Sequence, residues 1–133
     1  GSVKASSVDY TNVAVNAVPK AGGIAGYSAG SAIYNSAALG ELVKSELINV
    51  KVKSSETFAS RITGRADAES TVTSSYANEL MNTEADNTSS FRGVDINPQA
   101  AGQSFYENDM SWDFDAIWHI SYSASTPILL WQK

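Results

Sequence analysis

Cysteine is absent from the 133-residue chain. Disulfides and Cys-based zinc sites are therefore excluded, while the redox compartment is left open. Histidine occurs once, at His119. A zinc-protease helix needs two histidines at i and i+4 with a glutamate, so that chemistry is excluded as well. Basic residues are few: nine Lys and Arg against 14 Asp and Glu give a formal charge of −5. Nine scattered cations do not form the basic patch that neutralises nucleic-acid phosphates. No apolar run approaches the roughly 20 residues of a membrane helix; the stretch Pro127 to Trp131 is strand-sized. No signal peptide is present. Gly1-Ser2 without an initiator methionine reads as an expression scar, so a longer parent protein is expected and a missing signal says nothing about export.

What remains is a globular composition, 43% apolar and 10% aromatic with only 17% charged. Aromatic and β-branched residues are too plentiful for a disordered chain, and the length suits one domain that buries about two-thirds of its unfolded surface. The most informative feature is internal repetition. Tyr10 to Asn16 returns as Leu47 to Lys53, Ile24-Ala25-Gly26 as Ile62-Thr63-Gly64, Ile33 to Ala38 as Val72 to Ala77, and Glu41-Leu42 as Glu79-Leu80. Self-similarity with a period near 38 residues predicts a stacked, mainly β solenoid. In 49–53 the valines Val50 and Val52 alternate with Asn49, Lys51 and Lys53, the period-two pattern of a half-buried strand, and Val13 and Val15 hold the matching places in the earlier copy. A second short strand is expected around Ile24 and around Ile62, and a third over 32–38 and 71–77. Gly26 and Gly64 recur where stacked corners need small residues or a positive φ.

Two segments compete with an all-β reading. Leu39, Leu42, Val43 and Leu47 fall at helical spacing, and 76–81 contains good helix formers. The type of these connectors, 39–47 and 76–81, stays open. The polar run 82–90 reads as a loop, and 93–97 as the opening of a degenerate third coil. The boundaries that follow are 1–9 for scar and leader, 10–81 for two repeats, 82–104 for loop and third coil, and 105–133 for an aromatic ending, all in one domain. Seven of the 13 aromatics lie from Phe105 to Trp131. A solenoid's last coil leaves an open apolar face and bare strand edges, and a bulky C-terminal cap is the expected remedy.

Gly23-Ile24-Ala25-Gly26 resembles the glycine–aliphatic–aliphatic–glycine core of GLUG-motif repeats of bacterial surface and secreted proteins. Trp112-Asp113-Phe114, then Trp118, then Pro127-Ile128-Leu129, is similar to the segment that closes many such arrays. The second copy, Arg61-Ile62-Thr63-Gly64, departs from the motif at its first and third positions. The resemblance covers most of the chain from Tyr10 onward. It implies a short right-handed parallel β-helix of two to three coils at the end of a repeat array, on an extracellular or cell-surface, adhesin-like protein. It supplies no ligand to carry over.

The remaining chemistry is sparse. No Gly-x-Ser-x-Gly elbow accompanies His119, which reads as structural or solvent-exposed. Glu107, Asp109, Asp113 and Asp115 cluster as glycosidase carboxylates or calcium ligands would. They sit in the capping segment without calcium-loop spacing, so turn solvation is the reading adopted; no metal and no cofactor are expected. Asn87-Thr88-Ser89 is only a three-residue glycosylation match. Trp112, Phe114 and Trp118 share even parity and so one face of an extended segment, which with Pro127 reads as the plug of the cap. Tyr106, Trp118, Tyr122 and Trp131 are the candidate ligand-binding aromatics, since exposed rings stack on sugars. The expected function is a non-catalytic module, stalk or adhesion surface, with a host or surface glycan or protein as partner. A carbohydrate-binding module is the alternative.

Overall fold

The computed structural model describes residues 2–8, 18–48, 56–88, 91–120 and 126–132. Val13, Val15, Val50, Val52 and Tyr122, and with them the alternating strands expected over 10–16 and 49–53, lie outside the described residues. The protein is mainly β. Its elements in chain order are β1 (Ser2–Val8), β2 (Lys20–Gly22), β3 (Ala25–Ser28), β4 (Ala32–Ala38), β5 (Leu42–Ile48), β6 (Phe58–Ser60), β7 (Thr63–Ala66), β8 (Thr71–Asn78), β9 (Asn82–Glu84), β10 (Asn87–Thr88), β11 (Val94–Ile96), α1 (Gln103–Asn108), β12 (Trp118–His119), β13 (Ile128–Leu129) and a 3-10 turn over Leu130–Gln132. Three sheets run β1-β5-β9, β2-β6-β10 and β4-β8-β11, and β3 pairs with β7, all parallel; β12 and β13 pair antiparallel. The chain thus makes three passes through the same strand positions, the third lacking a partner for β7 among the described residues.

The register sharpens the repeat and corrects parts of it. Ala25 faces Thr63 and Ile33 faces Val72, the offsets expected for those segments. The first strand is different: Ser7 faces Leu47 and Val8 faces Ile48, so Tyr10 and Thr11 are not their counterparts. The segment 1–9, read as leader, supplies β1. Leu42 pairs with Asn82, so the Glu41-Leu42 and Glu79-Leu80 match is not a register match. Ile24 and Ile62 sit at corners, between β2 and β3 and between β6 and β7, rather than inside strands.

Of the connector 39–47, residues 42–47 lie in strand β5 (Leu42–Ile48). Val43 and Ser45 are buried while Leu42, Lys44 and Glu46 are half-buried. The period-two burial imposed by pairing on both edges overrides the helical spacing of its leucines. Likewise 76–78 ends β8, and Glu79-Leu80 turns into β9. The polar run 82–90 holds β9 and β10, because outermost strands are held by backbone hydrogen bonds and need little apolar content.

The interior is narrow. Its cluster is Ala21, Ala38, Val43, Ala59, Ile62, Ala77 and Met81, with Ile33, Val72 and Ala85 against it. Glycines let the passes approach. A Cβ on Gly22 would stand 2.0 Å from the Ala25 oxygen, and one on Gly64 2.4 Å from the Ala21 oxygen. Gly26 would meet the Lys20 oxygen at 2.7 Å. Neither Gly26 nor Gly64 has a positive φ; close backbone approach, not a left-handed turn, is what requires them.

Strands β4 and β8 share a kink. Asn35 (φ 48°) and Ser74 (φ 43°) are both left-handed and drop out of an otherwise continuous pairing. The Ser36 and Ser75 hydroxyls donate to the Tyr34 and Thr73 carbonyls at 2.9 Å each, closing the same small loop in both passes. The kink also shifts parity. Ile33 and Val72 pack against the core before it, and Ala38 and Ala77 lie in the core after it.

Side chains tie passes together at two further points. Asp67 accepts the Gly30 N–H at 2.9 Å and the Ser70 hydroxyl at 2.7 Å, and Ser28 donates to Ser70 at 3.1 Å. The Ser70 and Gly30 hydrogen bonds hold the Asp67 carboxyl below its ordinary 3.8. Arg61, buried, donates to the Asn78 and Gly93 carbonyls at 3.3 Å each and pairs with Asp95, joining the second pass to the third.

Gly64→Ala forces a contact with backbone that has nowhere to move. A loss of about 3 kcal/mol is expected in urea melts, at the upper end of overpacking costs, whereas Gly102→Ala, with open space around it, changes stability little. Asp67 sets an acid limb. A carboxyl depressed on folding stabilises above its unfolded value and loses that contribution as pH falls through the folded one. The melting temperature of the native protein should therefore fall more between pH 5 and pH 3 than that of Asp67→Asn; parallel curves would remove Asp67 from this role.

Candidate functional site

The C-terminal aromatics assemble on one flank of the β4-β8-β11 sheet. The six-residue helix α1 carries Phe105 and Tyr106, and is held on its exposed side by Gln103 donating to Glu107 at 2.6 Å and Asn108 donating to Ser104 at 2.9 Å. It ends where the Asp109 N–H donates to the Phe105 carbonyl at 2.9 Å. Ser111, left-handed at φ 55°, reverses the chain, and the Trp112 N–H donates to the Tyr106 carbonyl at 2.9 Å. Asp113 then organises a turn. Its carboxylate accepts the N–H groups of Asp115 and Ala116 at 2.9 and 2.8 Å, and its carbonyl accepts those of Ile117 and Trp118 at 3.1 and 2.8 Å. That turn folds Trp118 back onto Trp112.

The rings form a continuous file. Tyr76 of β8 meets Phe105 edge-on at 4.9 Å, Phe105 meets Tyr106 at 5.3 Å, Tyr106 stacks on Trp112 at 5.2 Å, and Trp112 stacks on Trp118 at 4.2 Å with planes 16° apart. Phe114 sits 6.4 Å from Tyr106. Each such pair adds roughly 0.5–1.5 kcal/mol beyond its buried area. The file is anchored by the Trp112 indole N–H, which donates to the Asn35 carbonyl at 2.9 Å. That carbonyl is available because the left-handed kink takes Asn35 out of the sheet ladder. Asn35 lies in the first pass and Tyr76 in the second, so the aromatic segment runs back along the flank of the stack. It is not confined to the face of the last pass.

Of the four proposed ligand-binding aromatics, Tyr106 is overturned: it is 0% exposed, in ring contact with Phe105, Trp112 and Phe114. Its phenol is pushed up by burial, and its hydroxyl has no partner among the described residues. Trp118 is half-buried, with Trp112 against its ring. Trp131, in the terminal 3-10 turn, is 79% exposed. Trp112, Phe114 and Pro127 are half-buried. The shared face of Trp112, Phe114 and Trp118 arises from a turn over 113–117, not from an extended strand. His119 lies in β12 opposite Ile128. Glu107 and Asp113 are engaged in the local hydrogen bonds given above, and among the described residues no group of three or more His, Asp or Glu is placed to hold a metal ion.

Sequence reasoning missed Tyr76 and Asn35. An aromatic at 76 where the earlier copy has Ala37 was the available signal for the first. An asparagine, enriched at positive φ, was the signal for the second. Comparison with known proteins found no matching protein-family model, no similar curated protein and no similar solved structure.

Trp112→Phe keeps the stack and removes one hydrogen bond, and should cost about 1 kcal/mol. Trp112→Ala should cost about 3 kcal/mol. Tyr106→Phe should be neutral, because its hydroxyl has no bond to lose. Denaturant melts that put Tyr106→Phe above Trp112→Phe in cost would contradict this arrangement.

Proposed function

We propose that this chain is a non-catalytic module of a bacterial cell-surface or secreted protein, acting as a stalk or adhesion surface. The observation that carries the reading is what occupies the recurring positions. The Ile24 N–H bonds to the Ile62 carbonyl, and Ile33 and Val72, and Ala38 and Ala77, are register partners from pass to pass. These residues build a stack and carry no reactive group. The finer architecture belongs to the same proposal: a short right-handed parallel β-helix of three coils. Parallel strands joined by crossovers in one sheet are right-handed in about 98% of cases, which supports the hand. The resemblance of Gly23 to Gly26 to the GLUG core supports the extracellular setting, and a host or surface glycan or protein is the partner class.

A second reading, a carbohydrate-binding module, is favoured by one observation: Trp131 offers a bare indole in the turn after β13, whose Leu129 pairs with Trp118. Solvent-exposed indoles stack on sugar rings. Antibody labelling of intact producing cells, with the full-length gene product, tests the main proposal; labelling should be strong and abolished by external protease. Labelling only after lysis would reject the setting. Turnover of a polysaccharide that Asp115→Asn abolishes would reject the non-catalytic role. Glycan-array binding that Trp131→Ala removes, with circular dichroism unchanged, would promote the second reading.

A further inference from the structure

The two ends of the stack are complementary. The first pass, β1 to β4, forms one edge of every parallel sheet, and β9, β10 and β11 form the other edge of three of them. Residues at the same register position differ sharply in cover. Val43 is 1% exposed, but Val3, its partner in β1, is 41% exposed. Ile62 is 0% exposed and Ile24 44%. What covers the second pass on each side is another pass, and among the described residues no strand pairs with the first pass on its outer side. A pocket of about 260 Å³ opens there, lined by Val3, Gly23, Ala38, Leu39, Val43 and Met81. At the opposite end Leu80 and Val94 stand 78% and 58% exposed, and Asn82 and Glu84 on β9 are exposed too.

Charge selects the occupant. Lys4, Lys44 and Glu84 form one file across β1, β5 and β9. Lys44 pairs with Glu84 at 3.6 Å and with Glu46 at 3.0 Å. Lys4 is exposed and has no carboxylate partner among the described residues. If the β9 edge of one copy continued the register against the β1 edge of the next, Glu84 would fall beside Lys4 and Asn82 beside Ser2. A two-fold, edge-to-same-edge contact would instead bring the Lys4 strands of both copies together. We infer that copies of this chain associate head to tail, the β9–β11 edge of one pairing in parallel with the β1–β4 edge of the next. Such a contact is heterologous and does not close on itself, so it propagates. The inference is independent of where the protein resides and of any glycan.

The absence of cysteine makes the test clean. Adjacent parallel strands place register partners about 4.8 Å apart, and strands two apart about 9.6 Å, while a disulfide needs Cα atoms within about 7 Å. Within one chain Lys4 and Glu84 are separated by β5, so the pair Lys4→Cys and Glu84→Cys cannot bridge internally. Under mild oxidation the double variant should give a ladder of covalent dimers, trimers and higher species that reductant collapses. Each single variant should stay largely monomeric, and circular dichroism should match the unsubstituted chain. In sedimentation, the unsubstituted protein should rise above its 14.1 kDa chain mass with concentration. A double variant that remains monomeric overturns the inference. So does efficient dimer formation by Lys4→Cys alone, which would mean a two-fold contact, and so does a mass that stays at one chain up to the solubility limit.

Discussion

In a stack of parallel strands every residue has a neighbour about 4.8 Å away in the next pass, and the side chain at one position limits the next. That spacing is the constraint from which the rest of this structure follows. It makes the interior thin, so alanines fill most of it and three larger residues, Val43, Ile62 and Met81, close the gaps. It also forces backbone against backbone at the corners. Gly22 and Gly64 interlock there because any Cβ would stand inside the van der Waals distance of a neighbouring carbonyl. At the position equivalent to Gly23, the second pass has Arg61. There the end of β8 offers the Asn78 carbonyl, and the third pass the Gly93 carbonyl and the Asp95 carboxylate, to its guanidinium. One position thus serves close packing in one pass and a charge-assisted clamp in the next.

The same spacing repeats local irregularities. A left-handed residue in β4 stacks beside a left-handed residue in β8, because a kink in one strand of a paired ladder must be matched in its neighbour or the register is lost. The matched kink moves Ala38 and Ala77 inward, leaves Tyr76 free to meet Phe105, and exposes the Asn35 carbonyl that anchors Trp112. The aromatic flank is thereby coupled to the stack at two passes, through ring contact at one and a hydrogen bond at the other. Loosening either contact would release a segment whose own helix is only six residues long and has no side-chain cap. Its order therefore depends on tertiary contact.

Much of the stack was legible in the chain. The 38- and 39-residue offsets of Ile24 with Ile62 and of Ile33 with Val72 are the register found between passes, because residues that pair face to face must satisfy similar neighbours. The offset at the first strand was only faintly legible. Ser2 to Val8 shares with Leu42 to Ile48 no more than Val3-Lys4 against Val43-Lys44 and Val8 against Ile48, a match too short to stand out, since an outer strand is held largely by backbone groups. Polar β9 and β10 were unreadable for the same reason, and 39–47 carried a helical spacing that pairing on both edges overrode. For the candidate site, the concentration of rings after Phe105 was visible, and so was the fact that Trp112, Phe114 and Trp118 act together. Which rings are covered was not. Tyr106 is followed by Glu107 and Asn108, whereas Trp131 closes the apolar run from Pro127; yet Tyr106 is the one fully buried and Trp131 the one almost bare, so local company does not separate them.

The sequence by itself determined that the protein is a β structure built by repetition, with glycines and small core residues at set intervals and an aromatic ending. Those properties are written in residue type and spacing, which act locally or between equivalent positions. The tertiary structure alone decided where the ending goes, which edges stay open, and which charges meet across passes. Those outcomes depend on contacts between residues far apart in the chain, such as Trp112 with Asn35 and Lys44 with Glu84. No local pattern encodes such contacts, because each is fixed by where two independent segments arrive in space.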